Sequence, residues 1–207
     1  TGYPRELVSL KLQLEDWVTV IDYIAQKKSI DTRRMVLWGT SLSGGYVLEL
    51  ASQLKNIKAI IAQIPFVDGT ESAKHYPLQF LPQALKISSQ DYMGGKVGLS
   101  PRTLPVIHPK KLCFLPTPDS YAGYLSILNP DYYWSGEVPA RVFFHLMRFR
   151  PIQNVRKITV PTLFIAAKQD TFIPIEISRE AATNIAPFAQ YHEWEMQHFD
   201  IYHGQWF

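Results

Sequence analysis

A chain of 207 residues that is 46% hydrophobic and 13% aromatic is long enough to bury one sizeable core, with room for a subsidiary cap. Charged residues make up only 19% of it and the formal net charge is +3, which excludes a disordered chain. Because the lysines and arginines are spread along the chain, they predict a solvated surface and no nucleic-acid partner.

The single cysteine, Cys113, excludes an internal disulfide and a cysteine-based zinc site. One cysteine also suits a reducing compartment, so we expect a cytoplasmic location. No spacing of histidines and carboxylates indicates a metal site, and we predict neither a metal nor a cofactor. No apolar run approaches the roughly 20 residues of a membrane span, so no span is predicted.

The predicted elements alternate between helix and buried strand. Residues 11–26 form an amphipathic helix, because their large apolar side chains recur along one helical stripe. RRMVLWG then predicts a strand, YVLELASQL a helix and KAIIAQIP a second buried strand, an order that is typical of a parallel α/β sheet. Further along, the predicted elements are a third strand in KITVPTLFIAA, a helix in IEISREAATNIA and a fourth strand, nearer an edge, in AQYHEWEM.

The segment between the second and third strands is rich in proline, interleaved with aromatic residues. A structureless connection of this length is uncommon inside one domain, so we predict a mostly helical cap. The predicted division is core in 1–65, cap in 66–157 and core in 158–207. Most aromatic side chains of the cap should form its own core, while a minority face an apolar substrate pocket. The residues predicted to contact substrate are Tyr76, Tyr121, Tyr124 and Phe143.

The stretch WGTSLSGG joins the first strand to the helix after it, and it predicts a sharp turn that exposes a serine. A nucleophilic serine needs small neighbours two residues before and after it, and free helix N–H groups for the charge that develops on attack. Gly39 and Ser43 flank Ser41 at these positions, which favours Ser41 as the nucleophile. A second register places Ser43 as the nucleophile, but Ser43 would then lie in the first helical turn.

A serine nucleophile also needs a base and an acid that orients the base. Asp170 follows the third predicted strand and His198 follows the fourth, at the strand ends where catalytic groups of α/β sheets gather. The order serine, aspartate, histidine is the one expected for a hydrolase of this kind.

Each of these residues has an alternative. Asp170 could simply cap the following helix, and Asp68, which follows the second strand, is a rival acid. His203 competes with His198 but is expected at the surface. The other histidines are interpreted as structural or exposed, and they are His75, His108, His145 and His192.

Taken together, WGTSLSGGYV, VPTLFIAAKQDTFIP and the terminal HFDIY resemble the α/β-hydrolase superfamily. The resemblance is to its serine-hydrolase branch, with esterase-like, dienelactone-hydrolase-like and fungal polyketide-transferase-like enzymes, and it covers the sheet segments. It implies that Ser41 is the nucleophile, His198 the general base, Asp170 the orienting acid and the Leu42 N–H one oxyanion donor. Members with an aspartate nucleophile, such as haloalkane dehalogenases, are disfavoured because the turn carries Ser41.

The superfamily has further strands before the serine turn, and TGYPRELVSLKLQLEDW resembles the segment that follows them. We therefore expect the chain to represent the C-terminal half of the fold. Four strands alone would expose a sheet edge and apolar faces, which an additional N-terminal segment or a homo-oligomer would cover.

The leading functional hypothesis is a serine hydrolase that cleaves a carboxylic ester, thioester or lactone through an acyl-enzyme on Ser41. Its substrate is expected to be a small apolar or aromatic molecule, since the cap is rich in aromatic residues. The alternatives are an acyltransferase or lyase with the same triad, and a non-catalytic binding module that retains the fold.

Overall fold

The structure is a computed structural model that describes residues 7–206. Within that range the elements follow one another in this order: α1 (Leu10–Ala25), β1 (Val36–Thr40), α2 (Leu42–Gln53), β2 (Ala59–Gln63), α3 (Gly69–Lys74), α4 (Leu81–Lys96), β3 (Thr103–Pro105), α5 (Ser120–Ile127), β4 (Glu137–Pro139), α6 (Val142–Arg148), β5 (Thr162–Ala167), α7 (Ile175–Ile185) and β6 (Ala189–Trp194). The same range contains five short 3-10 turns, at Thr32–Arg34, Pro151–Gln153, Val155–Lys157, Asp200–Tyr202 and Gly204–Trp206. The predicted resemblance of residues 1–17 to a family segment falls partly on residues 1–6, which lie outside the described residues.

Four strands form a parallel sheet in the order β1-β2-β5-β6. The predicted α/β fold with a parallel sheet and flanking helices is confirmed, and β6 lies at an edge as expected. The third strand is shorter than predicted, because a 3-10 turn occupies Val155–Lys157 and Pro161 has no N–H to donate. The first helix after β1 begins earlier than predicted, at Leu42, directly after the serine turn.

The two faces of the sheet bury different side chains, because successive residues of a strand point to opposite faces. In β5, Phe164 packs into the main core against α2 and α7, while Ile165 packs with Met196 near the C-terminal turns. Beside these, Val36 and Trp38 of β1 are 50% and 60% exposed. Two apolar side chains on one face of β1 are therefore exposed to solvent.

Between β2 and β5 the chain forms the helices α3, α4, α5 and α6 together with an antiparallel pair, β3 and β4. The predicted helices are present, but the small β-pair was not foreseen, since strands of three residues carry little periodicity. An apolar cluster of its own contains Tyr76, Ala84, Leu104, Leu112, Ala140 and Phe143. The assignment of 66–157 as a separate cap stays a prediction.

The segment between β2 and β5 leaves and re-enters the sheet through two adjacent stretches, 66–69 and 149–152, which we call the neck. The Gly69 N–H donates to the Phe149 carbonyl at 2.9 Å, and the Ile152 N–H donates to the Val67 carbonyl at 3.0 Å. The neck therefore fixes α3 and α6 beside the carboxyl ends of the strands.

Candidate active site

Ser41 occupies a strained turn between β1 and α2. Its backbone angles are φ 56° and ψ −119°, a backbone conformation that residues other than glycine rarely adopt. Gly39 permits this turn, because a Cβ there would lie only 2.2 Å from the Ser43 carbonyl oxygen. Strain of this kind typically costs about 1–3 kcal/mol and clusters at functional sites. The local sequence thus folds into a turn that raises one serine above the strand end.

The hydroxyl of Ser43 serves the turn itself. Its Oγ accepts a hydrogen bond from the Thr40 N–H at 2.9 Å and donates to the Thr40 carbonyl at 2.8 Å. Ser41 Oγ instead lies 3.0 Å from His198 Nε2. Of the two registers left open by the sequence, the geometry favours the one with Ser41 facing the histidine.

Asp170 and His198 form a buried pair directly behind Ser41. Asp170 Oδ2 lies 2.7 Å from His198 Nδ1, and the two side chains are 2% and 6% exposed. A carboxylate only accepts hydrogen bonds, so Nδ1 donates here and the other ring nitrogen, Nε2, faces Ser41 Oγ. The sequence therefore predicted three residues that the fold brings together in one hydrogen-bonded row.

The other oxygen of Asp170 is held by the backbone. Asp170 Oδ1 accepts hydrogen bonds from the N–H groups of Phe172 and Ile173, both at 2.8 Å. These residues precede α7, whose N-cap is Pro174, so Asp170 caps a turn and not the helix itself. Capping and the contact with His198 use different oxygens, and the two functions are compatible.

Two phenylalanine rings pack edge-on against the imidazole of His198. The ring of Phe172 lies 5.9 Å away at an interplanar angle of 79°, and the ring of Phe199 lies 5.1 Å away at 71°. Phe199 is in turn contacted by α5, where a Cβ at Gly123 would lie 2.4 Å from its ring. The rotamer of His198 is thus limited by packing as well as by Asp170.

Leu42, the predicted oxyanion donor, is the first residue of α2. Its N–H therefore has no acceptor within the helix, and it carries part of the positive end of the helix dipole. The adjacent carbonyl of Ser41 accepts hydrogen bonds from Gly45 and Phe66, which fixes the peptide plane between Ser41 and Leu42. Its assignment as an oxyanion donor stays a prediction.

A small apolar pocket lies between the neck and helices α3 and α6. Tyr76 and Phe143, two of the predicted substrate residues, line it, whereas Tyr121 and Tyr124 do not. Tyr121 is 40% exposed on α5, and Tyr124 stacks on Trp134 at 5.2 Å. The other lining residues, which sequence reasoning missed, are Phe66, Gly69, Ser72, Ala73, Phe114, Leu146, Met147 and Phe172.

A sequence signal for two of the missed residues did exist. Phe66 follows β2 and Phe172 follows β5, at the same carboxyl edge of the sheet as Ser41. Large apolar side chains just beyond parallel strands are positioned to border a site at that edge. The remaining lining residues come from helices whose packing is not visible in the sequence.

Asp68, the rival acid, has other partners. Its carboxylate accepts hydrogen bonds from the guanidinium of Arg150 at 2.9–3.1 Å and from the N–H groups of Thr70 and Glu71. It therefore caps α3 and joins the two halves of the neck. Its oxygens are engaged there, while the contact with the histidine is made by Asp170.

The remaining histidines lie away from Ser41. His203 is exposed and lies 3.0 Å from the Ser126 hydroxyl, and His108 Nδ1 accepts two backbone N–H groups of its own loop. His75 and His192 are exposed, and His145 is half-buried on α6.

Within residues 7–206 there is no group of three or more potential metal ligands. Over the same part of the chain, no helix is both long and apolar enough to cross a membrane.

The sequence and the fold are similar to those of known proteins. Over 208 residues the chain is 32% identical to the quorum-quenching protein AidA of Acinetobacter baumannii, covering 100% of this chain and 68% of AidA. It is 24% identical over 192 residues to the thiohydrolase aneE of Aspergillus aculeatus, covering 82% of this chain and 56% of that protein. The crystal structure of the α/β hydrolase GrgF from Penicillium sp. sh18 superposes with a TM-score of 0.79 at 17% identity, covering 99% of this chain and 70% of GrgF.

A family model matches part of the chain as well. Residues 11–93, which include the serine turn, match the prolyl oligopeptidase family, Peptidase_S9. The similarity to GrgF supports the fold, and the identity with AidA extends over the whole chain. The expectation of a hydrolase with an α/β-hydrolase fold is confirmed. The chain belongs to the α/β-hydrolase superfamily as a relative of AidA.

Proposed function

We propose that this chain is a serine hydrolase that cleaves a carboxylic ester, thioester or lactone through an acyl-enzyme on Ser41. The observation that carries the proposal is the hydrogen-bonded row from Ser41 Oγ through His198 to Asp170, with distances of 3.0 and 2.7 Å. The strained backbone of Ser41 supports it, because such strain is retained where the surrounding structure requires one geometry.

In the first half of the proposed reaction, Ser41 Oγ attacks the carbonyl carbon of the substrate while its proton passes to His198 Nε2. The carbonyl oxygen becomes negatively charged and accepts a hydrogen bond from the Leu42 N–H. Asp170 stabilises the imidazolium that forms, and it keeps the ring in the required tautomer. When the carbonyl re-forms, the bond to the leaving oxygen or sulfur breaks, and His198 donates the proton to that atom.

In the second half, water attacks the acyl carbon and gives one proton to His198. The bond between the acyl carbon and Ser41 Oγ then breaks, the carboxylic acid departs, and Ser41 regains the proton from His198. An alcohol in place of water would make the same site an acyltransferase. Product analysis with and without an added alcohol distinguishes the two outcomes.

Two observations support the proposed substrate class. The pocket beside the site is lined almost entirely by apolar side chains, which favours a small apolar or aromatic molecule. The relative aneE is named a thiohydrolase, which supports thioesters among the candidate substrates. A cytoplasmic location, the absence of a nucleic-acid partner and homo-oligomerisation stay predictions.

The experiment that tests the proposal is labelling of the chain with a fluorophosphonate, followed by peptide mapping. We expect one label per chain on Ser41, and we expect the label to be lost in Ser41→Ala and strongly reduced in His198→Ala. Ser43→Ala is the matched control and should still be labelled. Hydrolysis of p-nitrophenyl esters should follow the same pattern.

Two results would contradict the proposal. Label on Ser43 would overturn the choice of nucleophile. Folded wild-type protein that takes no label and hydrolyses no ester or thioester would favour the non-catalytic binding module.

A further inference from the structure

The apolar pocket lies where two hydrophobic clusters meet. Phe66, Phe172 and Leu146 belong to a cluster at the neck, whereas Tyr76 and Phe143 belong to the separate cluster to which α4, α6 and β3 contribute. All five side chains line the pocket. The pocket is therefore a gap between two packed units, and packing on both sides limits its size.

Two lining residues connect the pocket directly to the proposed triad. The Phe66 N–H donates to the Ser41 carbonyl at 2.9 Å, and the Phe172 N–H donates to Asp170 Oδ1 at 2.8 Å. The two phenyl rings lie 5.8 Å apart, and the ring of Phe172 also contacts His198. Two residues of the pocket wall are thus hydrogen-bonded directly to Ser41 and Asp170, and one of them packs on His198.

The lining offers no charge and little polarity to a ligand. The hydroxyl of Tyr76 donates to the Cys113 carbonyl at 2.7 Å, so its hydrogen is already used. Burial raises the pKa of Tyr76, which keeps the phenol neutral. Apart from Ser72, the other lining residues are apolar or glycine. Such a lining binds hydrocarbon and disfavours charged or strongly hydrated groups.

The pocket is small. Its volume is about 40 Å³, within about 350 Å³ of empty space that also includes open solvent. The smaller value corresponds to about three water-sized spheres placed without moving the walls. A long chain or a fused ring system would extend beyond that volume.

Of the two parts of an ester, the acyl group is the one that stays bound through both half-reactions. The leaving group has to depart before water attacks, so a pocket that retains the same group through both half-reactions suits the acyl group better than the leaving group. On this basis, and resting on the proposed function above, we propose that the pocket binds the acyl group and restricts it to a short chain of about four carbon atoms.

Ala73 and Met147 set the size of the pocket from opposite helices. Ala73 lies on α3 and Met147 on α6, and both line it. A leucine at position 73 would fill space that the acyl chain needs, whereas an alanine at position 147 would create space. The two substitutions therefore change acyl-chain preference in opposite directions.

The test measures kcat/KM for p-nitrophenyl acetate, butyrate, hexanoate and octanoate, so that only the acyl group varies. We expect the wild-type value to be highest for butyrate and about tenfold or more lower for octanoate. Ala73→Leu should lower the value for butyrate about tenfold while changing that for acetate little, and Met147→Ala should move the optimum to hexanoate or longer. Ala25→Leu, at the exposed end of α1, is the matched control and should leave the profile unchanged.

A second series fixes the acyl group as acetate and varies the length of the alcohol. If Ala73→Leu changes this series and not the first, the pocket binds the leaving group and the inference is wrong. It is also wrong if the wild type prefers octanoate, or if both variants keep the wild-type profile. Absence of hydrolysis together with absence of fluorophosphonate label would instead refute the proposed function itself.

Discussion

Ser41 Oγ and His198 Nε2 lie 3.0 Å apart, although 157 positions of the sequence separate the two residues. Ser41 follows β1 at one edge of the parallel sheet and His198 follows β6 at the other. Their contact depends on both strands ending at the same side of the sheet, on the strained turn at Ser41 and on the support of the imidazole by Asp170.

Replacing Ser41 by glycine should stabilise the protein relative to replacement by alanine. Glycine adopts the φ of 56° found at this position without the steric cost that a Cβ imposes, and that cost is about 1–3 kcal/mol. Chemical denaturation of the two inactive variants measures the difference. Equal free energies of unfolding would show that the turn is not strained in solution.

Asp170→Asn and Asp68→Asn should have different effects. Asp170→Asn removes the acceptor that sets the tautomer of His198, so we expect kcat to fall about 10⁴-fold with the fold retained. Asp68→Asn weakens a bidentate contact with Arg150, so we expect a loss of about 2–3 kcal/mol in unfolding free energy. Steady-state kinetics and denaturation are measured on both variants. A larger loss of kcat in Asp68→Asn than in Asp170→Asn would reverse the assignment of the acid.

Asp91 should make the stability of the helical segment between β2 and β5 depend on pH. Its carboxylate is buried and bonded to the guanidinium of Arg141 and to the N–H groups of Arg102 and Arg141. Burial alone raises the pKa of Asp91, but these hydrogen bonds outweigh it and hold the pKa below its usual value of 3.8. A lowered pKa in the folded state stabilises the protein at pH values above the unfolded pKa, and that contribution is lost as the pH falls through the folded pKa.

We therefore expect Asp91→Asn to cost about 3–5 kcal/mol at neutral pH, because it leaves Arg141 without its buried partner. The difference from wild type should stay constant down to about pH 5 and shrink below pH 3.8. Asp131→Asn, an exposed aspartate of the same segment, is the control and should show neither effect. A difference that does not vary with pH would contradict the linkage.

Gly123→Ala should lower activity, and it should not bring the gain in stability that alanine usually gives to a helix. Alanine is favoured over glycine in helices by up to about 1 kcal/mol, but a Cβ at position 123 would overlap the ring of Phe199. Because that ring packs on His198, we expect kcat to fall about tenfold to a hundredfold. Gly94→Ala on α4 is the control, since a Cβ there meets only Leu99 at 3.5 Å. Full activity in Gly123→Ala would show that α5 does not position the histidine.

The sequence alone was sufficient for the sheet and for the order of the candidate catalytic residues. Buried strands joined by helices predict a parallel sheet, and parallel strands end at the same edge, where Ser41, Asp170 and His198 each follow a strand. The turn at Ser41 is also a local property, because Gly39 and Ser43 are the small neighbours that such a turn requires.

Only the tertiary structure could distinguish between equivalent candidates. Asp68 and Asp170 each follow a strand and each accept backbone N–H groups two and three residues further on, so their local patterns are the same. What separates them is the remaining partner, Arg150 for one and His198 for the other, and both partners are distant in sequence. The apolar pocket is also decided by tertiary structure, since its walls come from segments that meet only after the chain has packed.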